Sequence, residues 1–263
     1  MSNITPKQLF FNVEDQKQID TLYSLLSQEN FDSVTGRLEQ AGMRKGICIL
    51  LSGTAGTGKT ESVLQIARKT GRPLMQVQVS DIKDKYVGES EKKLAAMFDN
   101  YRNSMKEGQK TGILFLNECD QLLSKRLENI SASVDQMSNA IQNILLEQME
   151  RFEGIMICTT NLVQNLDTAF ERRFLYKIEL GRPCPEARES IWKSMIPDIT
   201  DFNATYLAQH YDLSGGQIEN IARKSIIDIA LNGQGSLTLE KYCDYCERER
   251  FNLPSASKCR IGF

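Results

Sequence analysis

Residues 53–60 read GTAGTGKT, between the apolar run GICILLSG and the stretch TESVLQIARKTG, which has helical periodicity and is closed by Gly71. A G-x-x-x-x-G-K-[S/T] loop joining a buried strand to a helix commits the chain around it to one local geometry. Gly53, Gly56 and Gly58 let the backbone take positive φ and curl, so that successive N–H groups point inward at a phosphate. The helix that begins near Lys59 adds the positive end of its dipole. Lys59 can reach the β- and γ-phosphates of a nucleoside triphosphate, and the Thr60 hydroxyl can ligate Mg²⁺. The candidate cradle is therefore Gly53, Thr54, Ala55, Gly56, Thr57, Gly58, Lys59 and Thr60, with Glu61 following it.

Around the loop, short apolar runs alternate with helical stretches. GICILLSG (46–53), PLMQVQVS (73–80), TGILFLNE (111–118), IMICTTN (155–161) and FLYKIEL (174–180) read as strands. Between them lie TESVLQIARKTG, EKKLAAMFDNYRNSM and VDQMSNAIQNILLEQMERF, with helical periodicity. PLMQVQVS alternates apolar and polar residues; apolar strands alternating with helices across 46–181 predict an α/β fold, a parallel sheet covered on both faces. Two amphipathic stretches, QKQIDTLYSLLSQ and FDSVTGRLEQAG, predict an N-terminal helical extension over 1–45. The α/β nucleotide-binding domain then spans 46–181. At GRPCPE the composition shifts, and ARESIWKSMI, IENIARKSIIDIALNG and LTLEKYCDYCERERF predict a small helical domain over 182–263.

The 263 residues suffice for this arrangement. With 32 Lys and Arg against 34 Asp and Glu, the net charge is −2 and the pI about 5.7, which argues against nucleic acid or an anionic membrane as a partner. No apolar run is long enough to span a bilayer, and the first residues do not read as a secretory signal, so the expected compartment is the cytoplasm. The seven cysteines are odd in number and mostly inside apolar runs, which predicts buried free thiols. Cys243 and Cys246 have metal-ligand spacing but no second pair or histidine near them, so a zinc or redox role is set aside. His210 is the one histidine, which removes most His-dependent chemistry.

Residues 113–120, ILFLNECD, run four apolar residues into a polar cluster. In ATPases a second strand beside the phosphate loop ends in an acidic residue near Mg²⁺, with a glutamate next to it that polarises water. Asn117 stands in the metal position and Glu118 in the base position. Asn117 can hydrogen-bond a Mg²⁺-bound water through its carbonyl oxygen but brings no negative charge.

Taken in order, GTAGTGKT, ILFLNECD, ICTTN and LDTAFERRF resemble the AAA+ ATPases, and within them the AAA type, over roughly residues 46 to 230. The resemblance implies a P-loop NTPase with a five-stranded-type sheet and a helical lid, binding ATP with Mg²⁺ and hydrolysing it. ICTTN resembles the first sensor, which would put Asn161 near the γ-phosphate; alone, Asn161 reads as a strand-end cap. LDTAFERRF resembles the arginine-finger segment. Arg172 and Arg173 would then reach the ATP of a neighbouring subunit, Arg173 matching the last arginine best. Without the resemblance they read as a solvated basic pair. SDIKDKYVGESEKKL resembles the first pore loop, with Tyr86 flanked by Lys85 and Val87 positioned to grip extended polypeptide. LSGGQIENIARKS resembles the second-sensor helix, with Gly215 and Gly216 near the adenosine and Arg223 two turns on. The family usually has Asp where Asn117 stands; a bacterial subgroup that reads NEAD at this site is similar, and LFFNVED and IQNILLEQME resemble its other stretches.

The implied function is an ATP-driven ring, hexameric in this family, that remodels or threads a protein substrate. The short N-terminal part predicts that recognition comes from an adaptor or from further chain. A second reading is an ATP-dependent switch or scaffold that hydrolyses slowly because Asn117 weakens Mg²⁺ binding. A DNA-associated loader is the third, and the acidic pI weighs against it.

Overall fold

The computed structural model describes residues 7–82, 89–105, 110–125, 133–233 and 237–249. In chain order the elements are α1 Val13–Leu25, α2 Gln28–Gln40, β1 Ile47–Ser52, α3 Lys59–Thr70, β2 Leu74–Gln78, α4 Val79–Ile82 and α5 Glu89–Ser104. They continue with β3 Ile113–Asn117, α6 Asp120–Leu123, α7 Ser133–Glu150, β4 Ile155–Thr160, a 3₁₀ turn at Val163–Asn165, α8 Thr168–Glu171 and β5 Tyr176–Glu179. The remaining helices are α9 Pro185–Met195, α10 Asp201–His210, α11 Gly215–Asn232 and α12 Leu239–Glu249.

All five expected strands form, in one sheet of order β2-β3-β4-β1-β5 whose paired strands run parallel. The differences are at the ends. β2 stops at Gln78 because Val79 turns into α4, and β5 starts at Tyr176, two residues after the apolar run does. β1, β3 and β4 are buried along their whole length, as expected of strands with helices on both sides.

Strand alternation divides the apolar residues between two cores. Cys48, Leu50, Leu114, Leu116, Met156 and Cys158 face Phe98 and Tyr101 of α5 and Leu145 and Met149 of α7. Ile47, Ile49, Leu51, Phe115, Ile155 and Ile157 face Val63 and Ile66 of α3. Ile19, Leu22, Leu26 and Phe31 of the N-terminal part are buried in this second core, which makes α1 and α2 part of the α/β body. The chain divides into two compact units, Met1–Gly181 and Arg182–Phe263. In the second, Trp192 is fully buried on α9 and meets Tyr242 of α12 edge to face.

The six described cysteines are free thiols, four of them buried. A hydrogen bond with Cys119, and burial, hold the Cys158 thiol well above its ordinary range; burial pushes Cys48 up to about 12. Thiols in that state stay protonated and unreactive. No helix among the described residues is long and apolar enough to cross a membrane.

Candidate functional site

The sheet order puts β4 between β1 and β3, so the loops that leave these three strands open at one edge of the sheet. The loop after β1 is built as its glycines predict. Gly53, Gly56 and Gly58 have φ of 140°, 80° and 93°. A side chain at Gly53 would place Cβ 2.2 Å from the Leu180 carbonyl oxygen, so only glycine fits there. Gly58 is the left-handed N-cap of α3, and Gly71 the left-handed residue that ends it.

Within the loop, Lys59 Nζ donates to the carbonyl oxygens of Gly53 and Thr54, both at 2.8 Å. Thr57 Oγ1 donates to the Thr54 carbonyl at 3.0 Å. Burial lowers the Lys59 pKa, while the charges of Asp120 and Glu118 work in the opposite sense. The ammonium is thus held at the loop by the two carbonyl oxygens, with the charges of Asp120 and Glu118 favouring its protonated form. Leu9 and Phe11 pass beside Gly58, and Gln65 Nε2 donates to the Lys7 carbonyl at 2.6 Å. This apolar wall at the loop was not read from the sequence, because nothing in LFFN marks which element it will lie against.

Asn117 ends β3 and is 8 % exposed. Its Oδ1 accepts from Thr60 Oγ1 at 3.0 Å and from Thr159 Oγ1 at 2.9 Å, while Nδ2 donates to Gln78 Oε1 at 3.5 Å. Thr159 Oγ1 also accepts from the Glu118 backbone N–H at 3.0 Å, and Cys119 N–H donates to the Thr159 carbonyl at 2.8 Å. Glu118 itself is exposed and has φ 57°, the one described non-glycine residue with positive φ. Such a conformation costs about 1–3 kcal/mol and persists where neighbours over-determine it. The bonds to Thr159 on either side of Glu118 supply that determination.

Asn161, directly after β4, is exposed. Its backbone N–H donates to Asp120 Oδ1 at 2.7 Å, and Thr160 Oγ1 and the Leu162 N–H donate to the same oxygen at 2.5 and 3.1 Å. The structure therefore gathers the loop, Thr60, Asn117, Glu118 and Asn161 at one edge. It adds Asp120, Thr159 and Gln78, which the sequence reading had not singled out. Asp120 was visible in NECD and Thr159 in ICTTN, but their roles depend on β3 and β4 being neighbours.

The expected arginines differ from each other. Arg172 is exposed, whereas the Arg173 side chain is 9 % exposed, ion-paired with Glu150 and donating through Nη1 to the Ala169 carbonyl at 2.6 Å. Arg173 Nε is buried with no hydrogen-bond partner among the described residues. Gly215 and Gly216 form the first turn of α11, in the second unit, where Ser214 and Gln217 cap the helix reciprocally. Arg223 is exposed on the same helix. Lys85, Tyr86 and Val87 lie outside the described residues.

As a cation site the edge is poor in charge. Among the described residues no cluster of three His, Cys, Asp or Glu side chains could hold a metal by itself. The neutral oxygens of Thr60 and Asn117 fit Mg²⁺ brought in by phosphates, since that ion keeps several waters and takes few protein ligands in such sites. The positive-φ loop, the buried ammonium and the helix N-terminus fit the phosphates themselves.

Residues 49–182 match the family described as "ATPase family associated with various cellular activities (AAA)". The chain is 30% identical over 229 residues to "ATP-dependent zinc metalloprotease FtsH" of Lachnoclostridium phytofermentans, covering 83% of this chain and 38% of that protein. It is 27% identical over 211 residues to "Proteasome-activating nucleotidase 2" of Halobacterium salinarum, covering 76% of this chain and 48% of the relative. Human "Vacuolar protein sorting-associated protein 4A" is 30% identical over 209 residues, with 74% of this chain and 45% of that protein covered. The chain thus spans less than half the length of each of these relatives.

Proposed function

The chain belongs to the AAA family of ATPases, and from that premise we propose that it hydrolyses ATP at the edge formed by β1, β3 and β4 to drive the remodelling of a protein substrate. The observation that supports this reading most is the bonding of Thr60 to Asn117 and of Asn117 to Thr159, which joins the phosphate loop to both polar strand ends.

In this reading the loop N–H groups and Lys59 bind the phosphates, and Lys59 exchanges the Gly53 and Thr54 carbonyls for phosphate oxygens. Thr60, with Asn117 through a water, would hold Mg²⁺, which when bound supplies charge neutralisation on the β- and γ-phosphates. Glu118 orients the attacking water and takes its proton, and Asn161 senses the γ-phosphate. Arg172 and Arg173 complete the site of a second copy in a ring, by analogy with fingers that stabilise developing charge. Lys85, Tyr86 and Val87 grip polypeptide in the ring's channel, with an adaptor or further chain supplying recognition. A cytoplasmic setting is supported by the free thiols.

ATPase activity measured across protein concentration tests this. A specific activity that rises with concentration, collapses in Glu118→Gln and falls in Arg173→Ala is the expected result. The second reading, a slow ATP-dependent switch, is favoured by the neutral Asn117. It predicts tight ATP binding with undetectable turnover that appears in Asn117→Asp, and that outcome would replace the motor.

A further inference from the structure

The β3–β4 ladder ends at the pair Leu116–Cys158, and beyond it the two segments are joined by the Asn117 and Thr159 side chains and by one backbone bond, from Cys119 N–H to the Thr159 carbonyl. Past Thr160 the chain turns away from β1 as well, which leaves the N–H groups of Asn161 and Leu162 without a strand partner. Apolar burial does not hold this turn. Asn161 is exposed and Leu162 is 53 % exposed. Its bonds converge on one oxygen, Oδ1 of Asp120, which accepts from Thr160 Oγ1, Asn161 N and Leu162 N; within the turn Leu162 N–H also donates to Thr160 Oγ1 at 3.1 Å. Three donors on a carboxylate oxygen are charge-assisted bonds, about twice as strong as neutral ones.

Asp120 is itself rigidly mounted. It opens α6, whose Leu122 and Leu123 are each 2 % exposed and donate through their N–H groups to the carbonyl of Cys119, a fully buried residue. A carboxylate on an anchored element thus ties down an exposed turn whose remaining bonds are local to it.

We propose that Asp120 is a positioning residue for ATP hydrolysis: it touches no nucleotide and acts through Asn161, fixing the turn that aims this side chain. The inference rests on the role of Asn161 in the proposed function. It assigns Asp120 a different task from Glu118, two residues earlier, although both carboxylates lie near Lys59.

The test uses the full chain with Asp120→Ala, Asp120→Asn, Asn161→Ala and the double variant Asp120→Ala/Asn161→Ala. Three quantities are read: amide hydrogen exchange at Asn161 and Leu162, affinity for a fluorescent ATP analogue, and kcat. In Asp120→Ala, exchange at the two amides should accelerate. Turnover should fall on the order of tenfold to a hundredfold, as for a small misplacement of a group at the reacting centre, with nucleotide affinity retained. Asp120→Asn keeps an acceptor oxygen and should recover most of the turnover and protection. Adding Asp120→Ala to Asn161→Ala should cost nothing further, because the two act as one unit. Additive losses, or unchanged exchange in Asp120→Ala, overturn the inference and leave the proposed function standing. Full turnover in Asn161→Ala alone overturns the sensor role of Asn161, and the inference with it.

Discussion

Thr60 and Asn117, fifty-seven positions apart in the chain, meet in a 3.0 Å hydrogen bond in which the threonine hydroxyl donates to the amide oxygen. Thr159 donates to that same oxygen at 2.9 Å, so the two lone pairs of Asn117 Oδ1 are both used by hydroxyls. An aspartate could accept the same two bonds and add a charge. An asparagine adds instead a donor, which here reaches Gln78. Asparagine therefore gives the site the same two accepted bonds as an aspartate would, without a negative charge.

Asn117→Asp adds that charge. Its expected effect is a fall of roughly tenfold in the Mg²⁺ concentration that half-saturates turnover, worth about 1.4 kcal/mol. A Mg²⁺ titration of steady-state ATPase activity checks it. An unchanged titration would show that Asn117 does not sense the ion.

Thr159→Val removes a hydroxyl that both donates to Asn117 and accepts from the Glu118 N–H. The shape is kept, so the loss isolates the bonds. Denaturant unfolding should report about 1–3 kcal/mol of destabilisation, the cost of leaving buried polar groups unpaired. Turnover should drop together with stability, because Glu118 loses a bond that helps hold it at φ 57°. Thr159→Ser should restore both.

Burial lowers the Lys59 pKa from 10.5. Between that lowered value and about 10.5 the unfolded chain holds a proton that the folded chain has released, so stability contributed by this group rises with pH across the window. Lys59→Met should flatten that rise, seen as a smaller difference in melting temperature between the bottom and top of the window.

Arg172 and Arg173 should separate by stability. Arg173 is nearly buried against Glu150 and the Ala169 carbonyl, so Arg173→Ala is expected to lower the melting temperature as well as turnover. The exposed Arg172, changed to Ala, should lower turnover at unchanged melting temperature. Equal effects of both variants on melting temperature would contradict the burial difference.

Much of this was legible in order along the chain. The phosphate loop could be read because its geometry is local: glycines that take φ of 80–140° must follow one another within a few residues, and they did. β1, β3 and β4 could be read because sequences apolar throughout form strands buried on both faces, and β2 because its apolar and polar residues alternate along a partly exposed edge. What the residues could not declare by themselves was neighbourhood. Asp120 and Asn161 are forty-one positions apart, and only the placement of β4 beside β3 brings the carboxylate of one to the N–H of the other. The same holds for Ile19 and Leu22, legible as an amphipathic stripe but not as a stripe packed with α3 in the core of the sheet. Periodicity records which face of an element is apolar; which element covers that face is a long-range choice, settled when the whole chain closes its two cores.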